Sequence, residues 1–240
     1  MAESSSHGYR DNRLLAALPP EALASLAQNL QSVLIPAGTV LAEPGAIVDQ
    51  IVFPTTGLIS LLVVTKEGAA IETAMVGREG AFGLHRAFGE RKSFTRAETQ
   101  VGGKFLTIRA ASFAEIAKEH APVRELIGRY TEVLWAESQQ LATCNAVHDA
   151  SSRLCRWLLQ GAERAGSEKL PLTQEFMAQM LGVRRTTVTL LAQTLQKKKL
   201  IKYSRGQITI LDRRGLEAGA CECYHITQPA RLPNAIGVKL

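Results

Sequence analysis

The chain has 240 residues, 46% apolar and 21% charged, with a formal net charge of +6. That length supports two modest hydrophobic cores; the balance argues against global disorder, and no apolar run approaches the roughly 20 residues of a membrane-spanning helix. The polar opening, MAESSSHGYRDNR, and four scattered cysteines, Cys144, Cys155, Cys221 and Cys223, predict a cytoplasmic protein without a disulfide framework and without a membrane partner.

Residues 1–13 read as a flexible tail and residues 14–120 as a first domain. Apolar residues at helical spacing run from Asn12 to Leu30, broken at Pro19-Pro20. From Ser32 to Arg109, short runs of Val, Ile, Leu and Thr are punctuated by Gly38, Gly45, Gly57, Gly68, Gly77, Gly89 and Gly102-Gly103. That texture predicts a compact antiparallel barrel, roll or jelly roll. Leu58–Thr65 and Ala69–Met75 flank Lys66-Glu67-Gly68, a hairpin turn in which Gly68 takes a positive φ.

After Ala110 the period becomes helical, first to about His120 and then along a long helix over 121–148 that opens on Pro122. Ile127, Tyr130, Leu134, Glu137, Leu141 and Cys144 alternate steps of three and four, a narrow seam that is apolar except at Glu137. Such a seam predicts pairing with a second copy of the chain, with Leu126 and Val133 beside it free to face the first domain. The phase breaks at His148-Asp149-Ala150-Ser151, the expected hinge. A second domain follows over 149–224, opening with a helix from about Ser152 to Arg164. It turns Leu154, Cys155, Trp157, Leu158 and Leu159 inward and stops at Gly166; residues 225–240 read as a tail.

Within that domain, LTQEFMAQMLGVRRTTVTLLAQTLQKKKLIKYSRGQITI carries the functional signal. Thr173 is an N-cap for a helix to Leu181, and Phe176, Met177, Met180 and Leu181 form its inward stripe. Gly182 supplies a turn, and a second helix from about Arg184 buries Val188, Leu191, Ala192 and Leu195. Its open side then carries Arg184, Arg185, Thr186, Thr189 and Gln193, as insertion into a DNA major groove requires. Arg184, Arg185, Thr186 and Thr189 are the expected base readers. Thr173, Gln174, Thr187, Lys199 and Arg205 are the expected phosphate contacts, with Arg205 at the tip of a two-stranded wing over Leu200–Tyr203 and Gln207–Leu211. Between Arg184 and Arg214 also stand Lys197, Lys198, Lys202 and Arg213, against the single acid Asp212, a field that attracts polyanions.

These residues, together with SSRLCRWLL ahead of them, resemble the Crp/Fnr family of bacterial transcription regulators from about Leu14 to Tyr224. The resemblance implies an α+β chain: a double-stranded β-helix or jelly roll of cyclic-nucleotide-binding type, a long dimerisation helix, and a winged helix-turn-helix. It further implies a homodimer on palindromic double-stranded DNA, modulated by a signal at the β-roll, with RNA polymerase as a partner if the protein is an activator. In the family's nucleotide site, a Phe-Gly-Glu motif precedes an arginine and a small hydroxyl residue. Here GAFGLHRAFGERKSFTRAET keeps Phe82-Gly83, but Leu84 replaces the ribose-binding carboxylate, Arg91 stands for the phosphate-binding arginine and Lys92 replaces the hydroxyl residue. Cyclic nucleotide binding is therefore not expected, and Gly83, Leu84, His85, Arg91 and Lys92 are the candidate effector residues. No cysteine precedes Cys144, which sets aside the family's amino-terminal iron–sulfur centre, and His85 alone does not support haem. On the reader helix Arg185 keeps the family's first arginine, while Thr186 and Leu190 replace a glutamate and a later arginine, so a different operator is expected.

No nucleophile elbow, P-loop or zinc-protease motif is present, so catalysis is not expected. Cys221-Glu222-Cys223 with His225 departs from familiar zinc spacing and lacks partners; a buried terminal helix is expected, with no metal or other cofactor. The alternative, a cupin-like small-molecule enzyme, needs a histidine cluster on the strands, where His85 stands alone.

Overall fold

The computed structural model describes residues 8–226. Helices α1 (Arg13–Ala16) and α2 (Pro20–Ala27) come first, and what fixes them is Asn12. Its Oδ1 accepts from Leu15 N at 3.0 Å and its Nδ2 donates to the carbonyls of Pro54 and Gly80, both at 2.9 Å. A buried asparagine with these bonds made is an anchor, so the tail expected to reach residue 13 ends earlier. Of the tail expected over 225–240, residues 225–226 belong to the last helix; residues 1–7 and 227–240 lie outside the described residues.

Seven strands follow: β1 (Gln31–Ile35), β2 (Val40–Ala42), β3 (Gln50–Pro54), β4 (Leu58–Val64), β5 (Ala70–Val76), β6 (Arg96–Val101) and β7 (Gly103–Arg109). They form two antiparallel sheets, β1-β7-β3 and β2-β6-β4-β5. Val52 and Phe105 from one sheet meet Ile59, Val76 and Ala97 from the other in a shared core. The β4–β5 hairpin closes at Lys66-Glu67-Gly68, with Gly68 at φ +85°.

Helix α3 (Ala110–Glu119) leads into α4 (Ala121–Val147), whose exposed and buried faces differ from expectation. Ile127 and Tyr130 belong to the core beneath α1–α3, Leu134 packs against that core, and Glu137 and Cys144 are buried within the single chain. The three-and-four seam is therefore filled within the chain, by the first domain as far as Leu134 and by Arg164, Cys221 and Cys223 of the second domain at Glu137 and Cys144, and cannot be offered whole to a second copy. Leu126 and Val133 lie on the same inward side. The open face, one step round the helix, carries Gly128, Glu132, Trp135, Gln139, Ala142 and Ala146, with Trp135 66% exposed.

At the hinge, His148 and Asp149 are extended, and the Asp149 carboxylate accepts from the backbone N–H of Ser151 and Ser152 to cap α5 (Ala150–Ala165). Gly166, left-handed, ends α5. The five apolar residues expected inward are all buried, but so are Arg153, Arg156, Gln160 and Arg164 on the other side. The reason is placement. α5 runs between the first domain and the rest of the second, so its core continues through Leu58, Met75 and Val101 of the β-sheets.

Polar groups satisfy each other across that junction. Trp157 Nε1 donates to Glu72 Oε1, and Ser60 Oγ donates to Glu72 Oε2, both at 2.6 Å. Arg164 donates to Glu137 Oε1 at 2.6 Å and to the Met75 carbonyl, with Glu79 3.6 Å away. Burial works against the Arg164 charge, but Glu137 and Glu79 outweigh it and hold the guanidinium ionised.

The second domain continues with β8 (Lys169–Pro171), α6 (Gln174–Leu181), α7 (Arg185–Lys197), β9 (Ile201–Ser204), β10 (Gln207–Ile210), α8 (Arg213–Gly219) and α9 (Cys223–Ile226). Strands order as β8-β10-β9, one strand more than the two-stranded wing expected.

Two predictions test the junction. Burial pushes the Glu72 carboxyl up to about 7, against the pull of Ser60, Trp157, Arg156 and Arg164. A folded-state pKa above the unfolded one gives a contribution complete below about pH 4.5 and lost as pH climbs through about 7. Glu72→Gln keeps an acceptor for Trp157 without a charge to bury. Between about pH 5 and about pH 8 its stability should therefore gain on the parent by roughly 2–3 kcal/mol in chemical denaturation. Parallel pH profiles would contradict this. At Gly77 an added Cβ would lie 2.5 Å from Arg164 Cβ and 2.7 Å from the Arg164 carbonyl oxygen. Gly77→Ala should therefore cost about 1–3 kcal/mol in the same assay, and an unchanged midpoint would show that the junction gives way freely.

Candidate nucleic-acid interface and sensor cavity

The reader unit is built from caps. Thr173 Oγ1 accepts from Phe176 N at 3.1 Å to start α6, and Gly182 at φ +62° ends it. Val183 and Arg184 then lead into α7, whose Val188, Ala192 and Leu195 are buried against the domain core. Phe176 is only half-buried and packs its ring on Trp157, 6.5 Å between centroids. Arg184, Arg185 and Thr186 stand exposed at the start of α7, with Leu190 and Gln193 following on the open side. Thr187 and Thr189 are half-buried. The Thr189 hydroxyl donates to Gln174 Oε1 at 2.9 Å and to the Arg185 carbonyl at 3.1 Å, which ties α7 to α6. This engagement leaves the Thr189 methyl, rather than its donor, for anything outside.

The β9–β10 turn is closed by Arg205 (φ +50°) and Gly206 (φ +73°), both left-handed as a two-residue hairpin of this twist requires. The Arg205 side chain is exposed at the tip, and Lys197, Lys198, Lys199 and Lys202 are exposed nearby in sequence. Arg213 leaves the basic group. Its guanidinium pairs with Glu163, with Glu168 at 3.0 Å and with Glu217 at 3.3 Å. Neutralised in this way it braces α8 rather than adding to the positive field.

In the first domain a cavity of about 360 Å³ opens between β4, β5, the 82–85 turn and α4. Gly83, Leu84 and His85 line it as expected. Arg91 and Lys92 do not: both are exposed, although Ser93, Phe94 and Thr95 next to them return to the wall, and no Lys or Arg stands among the lining residues. Unforeseen contributions come from α4, where Thr131, Leu134, Trp135 and Ser138 close one wall. Leu134 belongs to the seam, and Thr131, Trp135 and Ser138 each follow a seam residue by one position. His85 Nε2 is buried without a partner among the described residues, and burial, then Arg86 and Arg91, lower its pKa and so disfavour the charged ring.

Sequence spacing also missed a grouping at the hinge. Cys221 and Cys223 meet Cys144 and His148, which come from the end of α4, whereas His225 is turned against the Tyr224 ring. Among the described residues this is the only set of three or more His, Cys, Asp or Glu side chains close enough to share an ion, and it lies outside the β-domain where a cupin-type centre would stand.

Residues 152–218 match the family described as the Crp-like helix-turn-helix domain. None of the curated proteins matches. Solved structures do. A Crp/Fnr-family regulator from Eubacterium rectale is 21% identical, aligns 88% of this chain with 98% of its own and superposes with a TM-score of 0.64. FixK2 from Bradyrhizobium japonicum gives 15% identity, 80% and 98% coverage and a TM-score of 0.67. A Crp/Fnr-family regulator from Thermus thermophilus gives 24% identity, 79% and 98% coverage and a TM-score of 0.61. Described residues contain no helix long and apolar enough to cross a membrane. Residues 152–218 thus carry a Crp-like helix-turn-helix domain, and the chain as a whole shares the fold of these Crp/Fnr-family structures.

Proposed function

We propose that the protein binds a palindromic operator as a homodimer, reading bases with the start of α7 and responding to a small molecule in the β-roll cavity. The observation that carries the reading is the open start of α7, where Arg184, Arg185 and Thr186 stand exposed on a helix whose other side is locked into the core. Guanidinium forks there suit guanine O6 and N7, and the Thr186 and Thr189 methyls suit thymine. Thr187 on this helix and Thr173, Gln174, Lys199 and the wing-tip Arg205 around it serve phosphates, which position the domain without specifying sequence.

Dimerisation uses the open face of α4. Gly128, Glu132, Trp135, Gln139, Ala142 and Ala146 repeat at four and three, and a tryptophan left 66% exposed amid small residues is an anchor for a second helix. The same Trp135 walls the cavity, so an occupant touches the dimer helix directly and can favour one dimer geometry over another. The ligand is a largely apolar molecule with a hydrogen-bonding group for His85; among the described lining residues no Lys or Arg is available for a phosphate.

Genome-wide mapping supplies the operator, and fluorescence anisotropy on it then separates the roles. Arg185→Ala should lose about 1–3 kcal/mol of discrimination per half-site while random-sequence affinity changes little; Arg205→Ala should weaken both equally and reduce the salt slope by about one. Equal losses on operator and random DNA for Arg185→Ala would contradict its base-reading role. Trp135→Glu should give a monomer in light scattering, with operator affinity falling steeply; a dimer that persists would move the interface elsewhere.

A further inference from the structure

We infer that Cys144, His148, Cys221 and Cys223 form a binding site for a thiophilic divalent cation of the zinc class, clamping the second domain onto the end of α4. The side chains arrive from two directions. Cys144 lies in the last turn of α4 and His148 is the residue that caps it, so both project from one helix end. Cys221 and Cys223 sit on the turn into α9, after the winged domain. The four potential ligand atoms all lie within 4.8 Å of one another. Cys144 Sγ is 3.5 Å from Cys221 Sγ, and Cys223 Sγ is 3.6 Å from His148 Nδ1. A tetrahedral ion with bonds of about 2.3 Å to sulfur and about 2.0 Å to nitrogen places its ligands roughly 3.5–3.8 Å apart, so little movement is needed to close the shell.

The surroundings fit the same reading. His148 turns Nδ1 toward the thiols and Nε2 toward the Glu222 carboxylate, 3.1 Å away, the outer carboxylate that fixes the tautomer of a metal-bound imidazole. Gln140 Nε2 donates to Cys223 Sγ at 3.1 Å, as an amide does to a coordinated thiolate. Three thiolates and a neutral imidazole around a divalent ion leave one negative charge. Buried Arg156 lines the small cavity that Cys144 and Cys223 share and stands ready to offset it. Binding exchanges three thiol protons for the ion and needs no oxidant or reductant. Three sulfurs select a borderline-soft ion over magnesium or calcium, and four protein ligands leave no open position, which marks a structural site rather than a catalytic one. Because two ligands precede the Asp149 hinge and two follow the winged domain, one ion would fasten both ends of that domain to α4. The site stands independently of the DNA-reading assignment.

The test is a cobalt titration of full-length protein, reduced, stripped with chelator and kept anaerobic. Expected are the intense visible bands of tetrahedral cobalt with a thiolate-to-cobalt transition, saturating at one ion per chain and bleached by zinc. His148→Gln and Glu222→Gln should each weaken binding by at least about tenfold, Cys221→Ser should diminish the thiolate band, and Cys155→Ala, a buried thiol outside the cluster, should leave the titration unchanged. Circular dichroism of His148→Gln and Glu222→Gln, both at the accessible edge of the site, shows whether the fold is intact. A folded parent that gives only the pale octahedral spectrum would overturn the assignment. So would a titration indifferent to His148→Gln and Cys221→Ser, or quantitative closure of a Cys144–Cys221 disulfide in air with no cobalt bound.

Discussion

The buried contacts around α5 hold this molecule together. Trp157 reaches across to Glu72 on β5, and Arg164 reaches to Glu137 on α4 and to the backbone of β5, so a single helix is bonded to the sheet, to the long helix and to its own domain. Buried charges of this kind add little net stability over well-packed apolar residues, yet removing one partner alone is costly. Their effect is to allow few arrangements: the second domain is registered against the first by directional bonds as well as by a shared core.

That register also explains why the cavity and the open face of α4 meet. Because Glu137 and Tyr130 turn inward, Trp135 and Thr131 fall between the inward and outward sides of α4, where they wall the cavity and border the open face at once. A ligand at this place would not need to deform the sheets to be felt by a second copy. At the other end of the same helix, Cys144 and His148 face the turn into α9. The long helix thus carries the first domain's cavity near its middle and the hinge grouping at its end, with the reader domain hung between two attachments.

Much of this was legible in the residues. The glycine spacing of the β-domain, the Gly68 hairpin, the Asp149 hinge, the Gly166 stop, the Thr173 cap and the Gly182 turn are local signals that depend on a few neighbouring residues, and the structure places each where the pattern did. What failed was long-range. A three-and-four seam states that one helix face is apolar but not whose surface covers it, and here the chain's own two domains do. Arg213 reads as one cation among many until Glu163, Glu168 and Glu217 are brought around it by the fold. The buried polar side of α5 was invisible for the same reason, since Arg156, Gln160 and Arg164 look solvent-facing when only the helix is considered. Cys221 and Cys223 lacked partners only because those partners lie at the far end of another helix.

The account rests on two open α7 starts presented together to one duplex. Hydroxyl-radical footprinting of the protein on its mapped operator tests that arrangement directly. The account predicts two symmetric protected patches centred about 10–10.5 base pairs apart, on one face of the DNA. A single patch, or protection without symmetry at physiological salt, would contradict it.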